Sequence, residues 1–321
     1  MDLLDIKQVS ALLANSKDCV IGVSGGIDSM SLLHWFAAHR DQLPCPIRAM
    51  HVDHSINANS SSWANFVAAT CLNLSIDCTI VKINLDGLGN NLEYAARKGR
   101  YRAFCESGAD TVVLAHHAND QCESFLLKLF RGSGIRGLKS MVPKIACWYD
   151  PDITVVRPML DVTRPQIELW AENNQVSGVE DPSNLDNQYD RNYLRNCVWP
   201  AIMERFGIAD VNTIRSIKHL DEAWHLTSAL ADMDMVTVTL PDGSFDWYKM
   251  QALGYLRIKN LLLRLLGLEG VYSFSIGQVE QFTQGLLSAT LDNRNQLVVK
   301  GLTLNKVGKK IYIHRPQQQA A

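Results

Sequence analysis

A chain of 321 residues is long for one hydrophobic core and predicts two domains. Its 47% hydrophobic and 20% charged residues are those of a globular protein, and eight scattered cysteines with no C-x-x-C pair exclude a zinc ribbon and predict reduced thiols. A net charge of −2 does not advertise a nucleic-acid binder, no signal peptide is visible in Met1–Ser10, and no apolar run approaches a membrane span, so a cytoplasmic protein with no membrane partner is expected.

In chain order, residues 1–14 form an amphipathic helix. Cys19–Gly22 is an apolar, β-branched strand that runs into Val23-Ser24-Gly25-Gly26-Ile27-Asp28-Ser29 and a helix beginning near Met30. The pattern then alternates. Strand 47–54 precedes a helix over 60–74. Strand 78–83 and a loop over 85–91 precede a helix over 92–106. Strand 111–115 precedes a helix over 119–130. A basic glycine loop follows at 131–137, a last strand at 153–156, and a helix over 163–173 that Thr163 can cap. A polar loop, 180–188, leads to a helix over 190–205. Alternating strands and helices imply an α/β fold with a doubly wound, mostly parallel sheet, whose ligands lie outside the strand C-termini. His51–His54, His116-His117 and the glycine turn all fall at such strand ends.

The pattern changes near Gly207, which sets expected domains at 1–208 and 209–321. The second is a smaller α+β domain with a long helix over 212–232 and a hairpin of strands 236–240 and 245–247. Helices over 249–266 and 276–287 and short strands at 296–299, 302–304 and 310–314 complete it. It carries no chemical motif, so binding is its expected role. Local charge supports a polyanionic partner. Lys128, Arg131, Arg136, Lys139 and Lys144 face one acid, Glu123, between residues 121 and 145. Arg294, Lys300, Lys306, Lys309, Lys310 and Arg315 face none between 294 and 315.

A strand, a tight glycine turn and a helix start make an anion site from backbone N–H groups and the helix dipole. No Gly-Lys-Ser or Gly-Lys-Thr follows, so this is not a Walker A loop, and the glycine spacing is not G-x-G-x-x-G. Ser24 and Ser29 can donate further hydrogen bonds and Asp28 can hold a Mg²⁺. Ser24–Ser29 resembles the S-G-G-x-D-S loop of the ATP-pyrophosphatase, or PP-loop, superfamily. An ordinary strand-to-helix turn is the alternative. Glu93, Arg97 and Arg100 share one helical face, where a solvated ion-pair stripe is the competing reading. Asp120 and Glu123, at i and i+3, would point two carboxylates into the cleft. Helix capping by Asn119 or Asp120, or a metal site of His51, His54, His116 and His117, competes with that. Glu180–Asn184 with Asp190–Arg195 joins an acidic turn to a helix bearing two arginines, which alone is no more than a capped helix.

Taken in order, the loop Ser24–Ser29 and the runs Leu92–Tyr101, His116–Leu138 and Glu180–Arg195 resemble the tRNA(Ile)-lysidine synthetases over about the first two-thirds of the chain. The remainder is similar in layout to that family's first C-terminal domain. The resemblance implies an adenine nucleotide α-hydrolase-like fold and a ligase using ATP and Mg²⁺, the metal at Asp28. It implies adenylation of the wobble cytidine of a CAU anticodon in tRNA(Ile), then attack by the ε-amine of free lysine, releasing pyrophosphate and AMP. Catalytic roles would fall to Asp28, Asp120, Glu123 and Arg97. Nucleotide contacts would come from Ser24, Gly25, Gly26, Ile27, Asp28, Ser29, His51, Arg100 and His116. Substrate and RNA contacts would come from Glu93, Arg131, Arg136, Arg191 and Arg195.

Asn119 stands where many members carry Asp, and Ser55-Ile56-Asn57 replaces Gly-Leu-Arg. The extra C-terminal domain of longer members is expected to be absent. Members can be dimers, though no dimer signature stands in this sequence, and the second domain would contact tRNA phosphates. Competing readings are a tRNA thiolase, an amide-forming synthetase, and a catalytically silent RNA-binding protein on the same fold. The thiolase is disfavoured by the missing C-x-x-C pairs. The amide-forming enzyme has no ammonia source here, and the intact Ser24, Gly25, Gly26, Asp28 and Ser29 weigh against the silent protein.

Overall fold

A computed structural model describes residues 2–54, 59–83, 92–271, 274–292, 294–299 and 302–315. The chain divides into two compact units, Met1–His219 and Leu220–Ala321, with the boundary inside one helix.

The first unit holds strands β1 (Cys19–Gly22), β2 (Ile47–Asp53), β3 (Cys78–Lys82), β4 (Thr111–Val113), β5 (Lys144–Ala146) and β6 (Thr154–Val156). Their spatial order is β3-β2-β1-β4-β6-β5. Every neighbouring pair is parallel except β5 with β6. Helices α1 (Ile6–Leu13), α2 (Ile27–Ala38), α3 (Ser60–Asn73) and α4 (Leu92–Cys105) precede β4. After it come α5 (Ala118–Phe130), α6 (Ile135–Leu138), α7 (Arg164–Asn173), α8 (Asp190–Tyr193) and α9 (Trp199–Phe206). A π-helical turn, Leu194–Val198, joins α8 to α9.

The period of two along each strand explains the double winding. Cys19, Ile21, Ala49, Val113 and Val156 pack on one face against Leu13, Leu33, Phe36, Val67 and Ile167, from α1, α2, α3 and α7. Val20, Met50, Val52, Val112 and Val155 pack on the other against Tyr101 and Phe104 of α4. The chain leaves β1 for β2 and β3 on one side and returns to β4 on the other. The strand order therefore reverses at β1, where a crevice opens beyond the strand C-termini.

The edge strand β5 was not legible: it is three residues long and exposed throughout, so it has no burial pattern to read. The loop expected at 85–91 and the replacement at 55–57 lie outside the described residues.

Helix α10 (Ala209–Val238) leads into the second unit, followed by β7 (Phe245–Asp246), α11 (Trp247–Leu253), α12 (Tyr255–Leu268) and α13 (Ile276–Ser288). Strands β8 (Asn295–Val299), β9 (Leu302–Val307) and β10 (Lys310–His314) close it. The sheet order is β7-β10-β9-β8, all antiparallel. It packs on Trp247, Met250, Leu261, Leu262, Phe282 and Leu286.

Two expectations are corrected. No strand forms at 236–240: α10 continues to Val238, which is fully buried, and Thr239 retains one bridge to Phe245. Packing of Val238 overrides the β propensity of the Val-Thr-Val run. The helix expected over 249–266 is two helices, because Gly254 takes a φ of +76° between them.

Candidate functional site

The glycine turn closes on itself. Ser29 Oγ donates to the Gly26 carbonyl at 2.9 Å and accepts from the Ser24 amide at 3.1 Å. The two serine hydroxyls are 3.1 Å apart. Gly25 has a φ of +95°, a conformation that only glycine adopts without strain. The turn is held from outside by Gly178-Val179, whose Val179 amide donates to the Gly25 carbonyl at 2.9 Å. A Cβ on Gly178 would lie 2.5 Å from the Ile27 nitrogen, so the two backbones touch only because residue 178 is glycine. The first-turn N–H groups of α2 have no intrahelical acceptor and are available to an anion.

Beside the turn lies a cleft of about 650 Å³, lined by Ser24, Asp28, Ser29, His51, Asp53, His54, Arg100, His116, Asp181 and Ser183 with apolar strand residues. His51 Nδ1 lies 2.8 Å from the Val23 carbonyl, which can only accept, so Nδ1 is the donor of this bond. Burial pulls the Arg100 guanidinium below its ordinary pKa and does the same to His54, down to about 4, and to His116. Among the described residues, Arg100 Nε, His54 Nδ1 and His116 Nδ1 are buried without a hydrogen-bond partner. Orphaned polar atoms on a cleft wall, one of them a guanidinium N–H donor, fit an anionic, hydrogen-bonding ligand.

The second part of the site starts where β4 ends. His117 caps α5 by accepting from the Asn119 amide at 3.2 Å, and Asp120 Oδ2 accepts from the His117 amide at 3.0 Å. Because Nδ1 accepts, the His117 proton sits on Nε2, 3.7 Å from Asp28 Oδ2 and 3.6 Å from Asp120 Oδ2. Burial opposes a charge on this ring, but Asp28 and Asp120 outweigh it and its pKa is raised. Burial likewise opposes charge on Asp120, yet His117, Arg191 and His116 hold its pKa below the ordinary carboxylate range.

Arg191 bonds both carboxylates, through Nη2 to Asp120 Oδ1 and through Nε to Glu123 Oε2, each at 2.6 Å. Arg195 adds Nε to Glu123 Oε1 at 2.6 Å and Nη2 to Glu123 Oε2 at 2.9 Å. Glu123 is thus nearly sealed, its side chain 4% exposed. The capping alternative holds for one oxygen of Asp120, while its other oxygen faces Arg191.

The remaining expected residues are more dispersed. Arg97 is exposed, its guanidinium 5.4 Å from the Tyr101 ring, and does not line the cleft. Arg131 pairs with Asp190 at 3.2 Å on the surface, and Arg136 lies on α6. The side chain of Glu93 is outside the described residues. No group of three or more His, Cys, Asp or Glu suited to a metal occurs among the described residues, so the four-histidine alternative has no geometric support. Asp28 remains as a single carboxylate beside a phosphate-type turn. That is how Mg²⁺ is held when phosphates and water supply its other ligands.

Sequence reasoning placed His117 at a strand end and in the four-histidine alternative without giving it a role between carboxylates, and it missed Arg164 and Gly178. Arg164 Nη1 donates to both oxygens of Asp28, at 3.0 and 2.8 Å. Its amide donates to Asn119 Oδ1 at 2.9 Å, which gives the residue at 119 a docking role that Asn fills as well as Asp. For His117 the adjacency to His116 was a usable signal. For Arg164 there was none, since 136 residues separate it from Asp28.

In the second unit Lys306, Lys310 and Arg315 of the basic stretch are engaged. Lys306 is buried, 4.3 Å from the Trp247 ring and bonded to the Thr290 carbonyl at 2.7 Å. Lys310 pairs with Asp242, and Arg315 forms a two-pronged pair with Glu269.

Residues 3–202 match the PP-loop domain family. A tRNA(Ile)-lysidine synthase of Haemophilus ducreyi is 31% identical over 96% of this chain and 71% of its own length. That of Coxiella burnetii is 32% identical over 96% and 68%, and one from Actinobacillus pleuropneumoniae 34% over 92% and 70%. In fold, the chain is similar to the solved U34-tRNA thiolase NcsA of Methanococcus maripaludis. That similarity has a TM-score of 0.54 at 16% identity, over 68% of this chain and 76% of that one.

Proposed function

We propose a reaction from one premise: the chain belongs to the PP-loop family and, within it, to the tRNA(Ile)-lysidine synthases. It is a ligase that uses ATP to form lysidine on tRNA. In the reaction we infer, the triphosphate lies along the Ser24–Ser29 turn and the adenosine occupies the cleft walled by His51, Arg100 and His116. The 2-oxygen of the wobble cytidine attacks the α-phosphate and pyrophosphate leaves. First-turn N–H groups of α2 and the Arg100 guanidinium then meet charge where it develops. Asp28 would hold a Mg²⁺, which when bound would supply Lewis-acid neutralisation of the phosphates.

The lysine ε-ammonium, with a free pKa near ~10.4, must be held and then lose a proton before it attacks carbon 2 of the activated ring. Asp120, kept ionised by its neighbours, suits the holding role. Glu123, bonded by the Arg191 and Arg195 guanidiniums, completes the carboxylate wall. Arg191 and Arg195 orient these carboxylates; Arg131 and Arg136 remain the candidates for the anticodon loop, where splayed bases are read. The second unit positions the tRNA body, with free lysine and tRNA(Ile) as partners in the cytoplasm.

The observation that carries this reading is His117, whose Nε2–H lies within 3.7 Å of the nucleotide-loop carboxylate and 3.6 Å of the carboxylate offered to the amine. Adenylation and aminolysis must share one reacting atom, and a single imidazole spanning both carboxylates supports a common point for the two steps. The test is pyrophosphate release from ATP, measured with and without a tRNA(Ile) transcript bearing CAU. Release that needs the transcript, and is lost in Asp28→Asn, supports the reading. Release without any tRNA would oppose it.

A further inference from the structure

Arg164 is held for a purpose that neither capping nor surface pairing explains. Its backbone amide is tied to Asn119, its Nε to Glu168 Oε1 at 2.7 Å, and its Nη1 covers both oxygens of Asp28. A magnesium ion bonds a carboxylate oxygen at about 2.0–2.1 Å. With one guanidinium nitrogen in contact with both oxygens, an ion entering from the same side would collide with it and be repelled by its charge.

We propose that Arg164 is a positioning residue that holds Asp28 while the loop is metal-free and gives it up only when a divalent cation arrives together with a triphosphate. The inference rests on Asp28 being the metal carboxylate, as read above. Glu168, one helical turn beyond Arg164 and already bonded to its Nε, gives the released guanidinium a place to remain. The phosphate oxygens supply the negative charge that lets the cation displace it, so metal and nucleotide load together. Linkage then requires ATP to raise metal affinity by the same factor that metal raises ATP affinity, and Arg164 enlarges that factor.

The experiment is Mn²⁺ binding followed by electron paramagnetic resonance, on the full chain, first with the metal alone and then with ATP. Wild type is compared with Arg164→Gln, Arg164→Lys and Asp28→Asn, with melting curves to confirm folding. The expected result is tighter binding of Mn²⁺ alone in Arg164→Gln, by about tenfold, with the ATP enhancement reduced by the same factor. Arg164→Lys, which keeps the charge but covers one oxygen, falls between and serves if the Gln variant does not fold. Loss of a merely structural residue would weaken metal binding, not strengthen it. Unchanged or weaker Mn²⁺ binding in both Arg164 variants, with binding abolished in Asp28→Asn, overturns the inference and leaves the metal reading standing. Binding that persists in Asp28→Asn overturns both.

Discussion

Replacing Glu123 by Gln keeps the volume of the side chain and removes its charge. In the native site that carboxylate accepts three charge-assisted hydrogen bonds, from Arg191 Nε and from Arg195 Nε and Nη2. Opening a fully buried ion pair costs about 3–5 kcal/mol. Here the guanidiniums are 35% and 39% exposed, so water recovers part of that, and about 2 kcal/mol is the reasonable magnitude. For a unit of this size each kcal/mol shifts the midpoint by about 2–4 °C, so a fall of about 4–8 °C is expected in the transition of the first unit. Scanning calorimetry reads it, and a double-mutant cycle with Arg195→Met isolates the pair: the double variant should lose less than the sum of the singles. In lysine-concentration kinetics the same substitution should raise the KM for lysine while that for ATP holds. Full additivity in the cycle, with lysine KM unchanged, would refute the account of this cluster.

Gly178→Ala should displace the nucleotide turn, since its Cβ has backbone atoms of Ile27 at 2.5 and 2.8 Å; we expect about 1–3 kcal/mol of lost stability and weaker ATP binding by calorimetry. His116→Asn should flatten the acid limb of stability. The folded ring is held neutral by burial whereas the unfolded one binds a proton near 6.5, so acid favours unfolding; the cost is small above pH 7 and grows as pH falls through 6.5. Between pH 7 and 5.5 it amounts to about 1.2 kcal/mol that the variant should not show in urea titrations. Lys306→Met should lower the melting point of the second unit, leaving the Thr290 carbonyl without its donor, yet leave the salt dependence of tRNA binding unchanged. A shallower salt slope in filter binding would mean that this lysine reaches phosphate after all.

The sheet was legible because its strands are short β-branched runs with turn signals between them, and because the glycine turn, His51–His54 and His116-His117 fell at strand ends. The edge strand β5 lacked any burial pattern, and the Val-Thr-Val run at the end of α10 carried a β signal that helical packing overrode. Within the site, the turn and the Asp120/Glu123 spacing could be read from local pattern alone. What could not be read was pairing at a distance. Arg191 and Arg195 looked available for RNA, but α8 and the π-helical turn bring them onto the carboxylates 68 and 72 residues away. The C-terminal basic stretch had no acid within it, yet Asp242 and Glu269 reach it from elsewhere in the fold. Charge runs report composition; only tertiary structure says which charges remain open.

We propose that this site joins lysine to an ATP-activated cytidine of tRNA(Ile). The measurement that tests it most directly is incorporation of labelled lysine into a tRNA(Ile) transcript with a CAU anticodon, with ATP and Mg²⁺. The methionine tRNA with the same anticodon and Asp28→Asn protein serve as controls. Label is expected in the isoleucine transcript alone, dependent on ATP and absent with the variant. Pyrophosphate release with no lysine uptake would contradict it, leaving an adenylating enzyme with a different nucleophile.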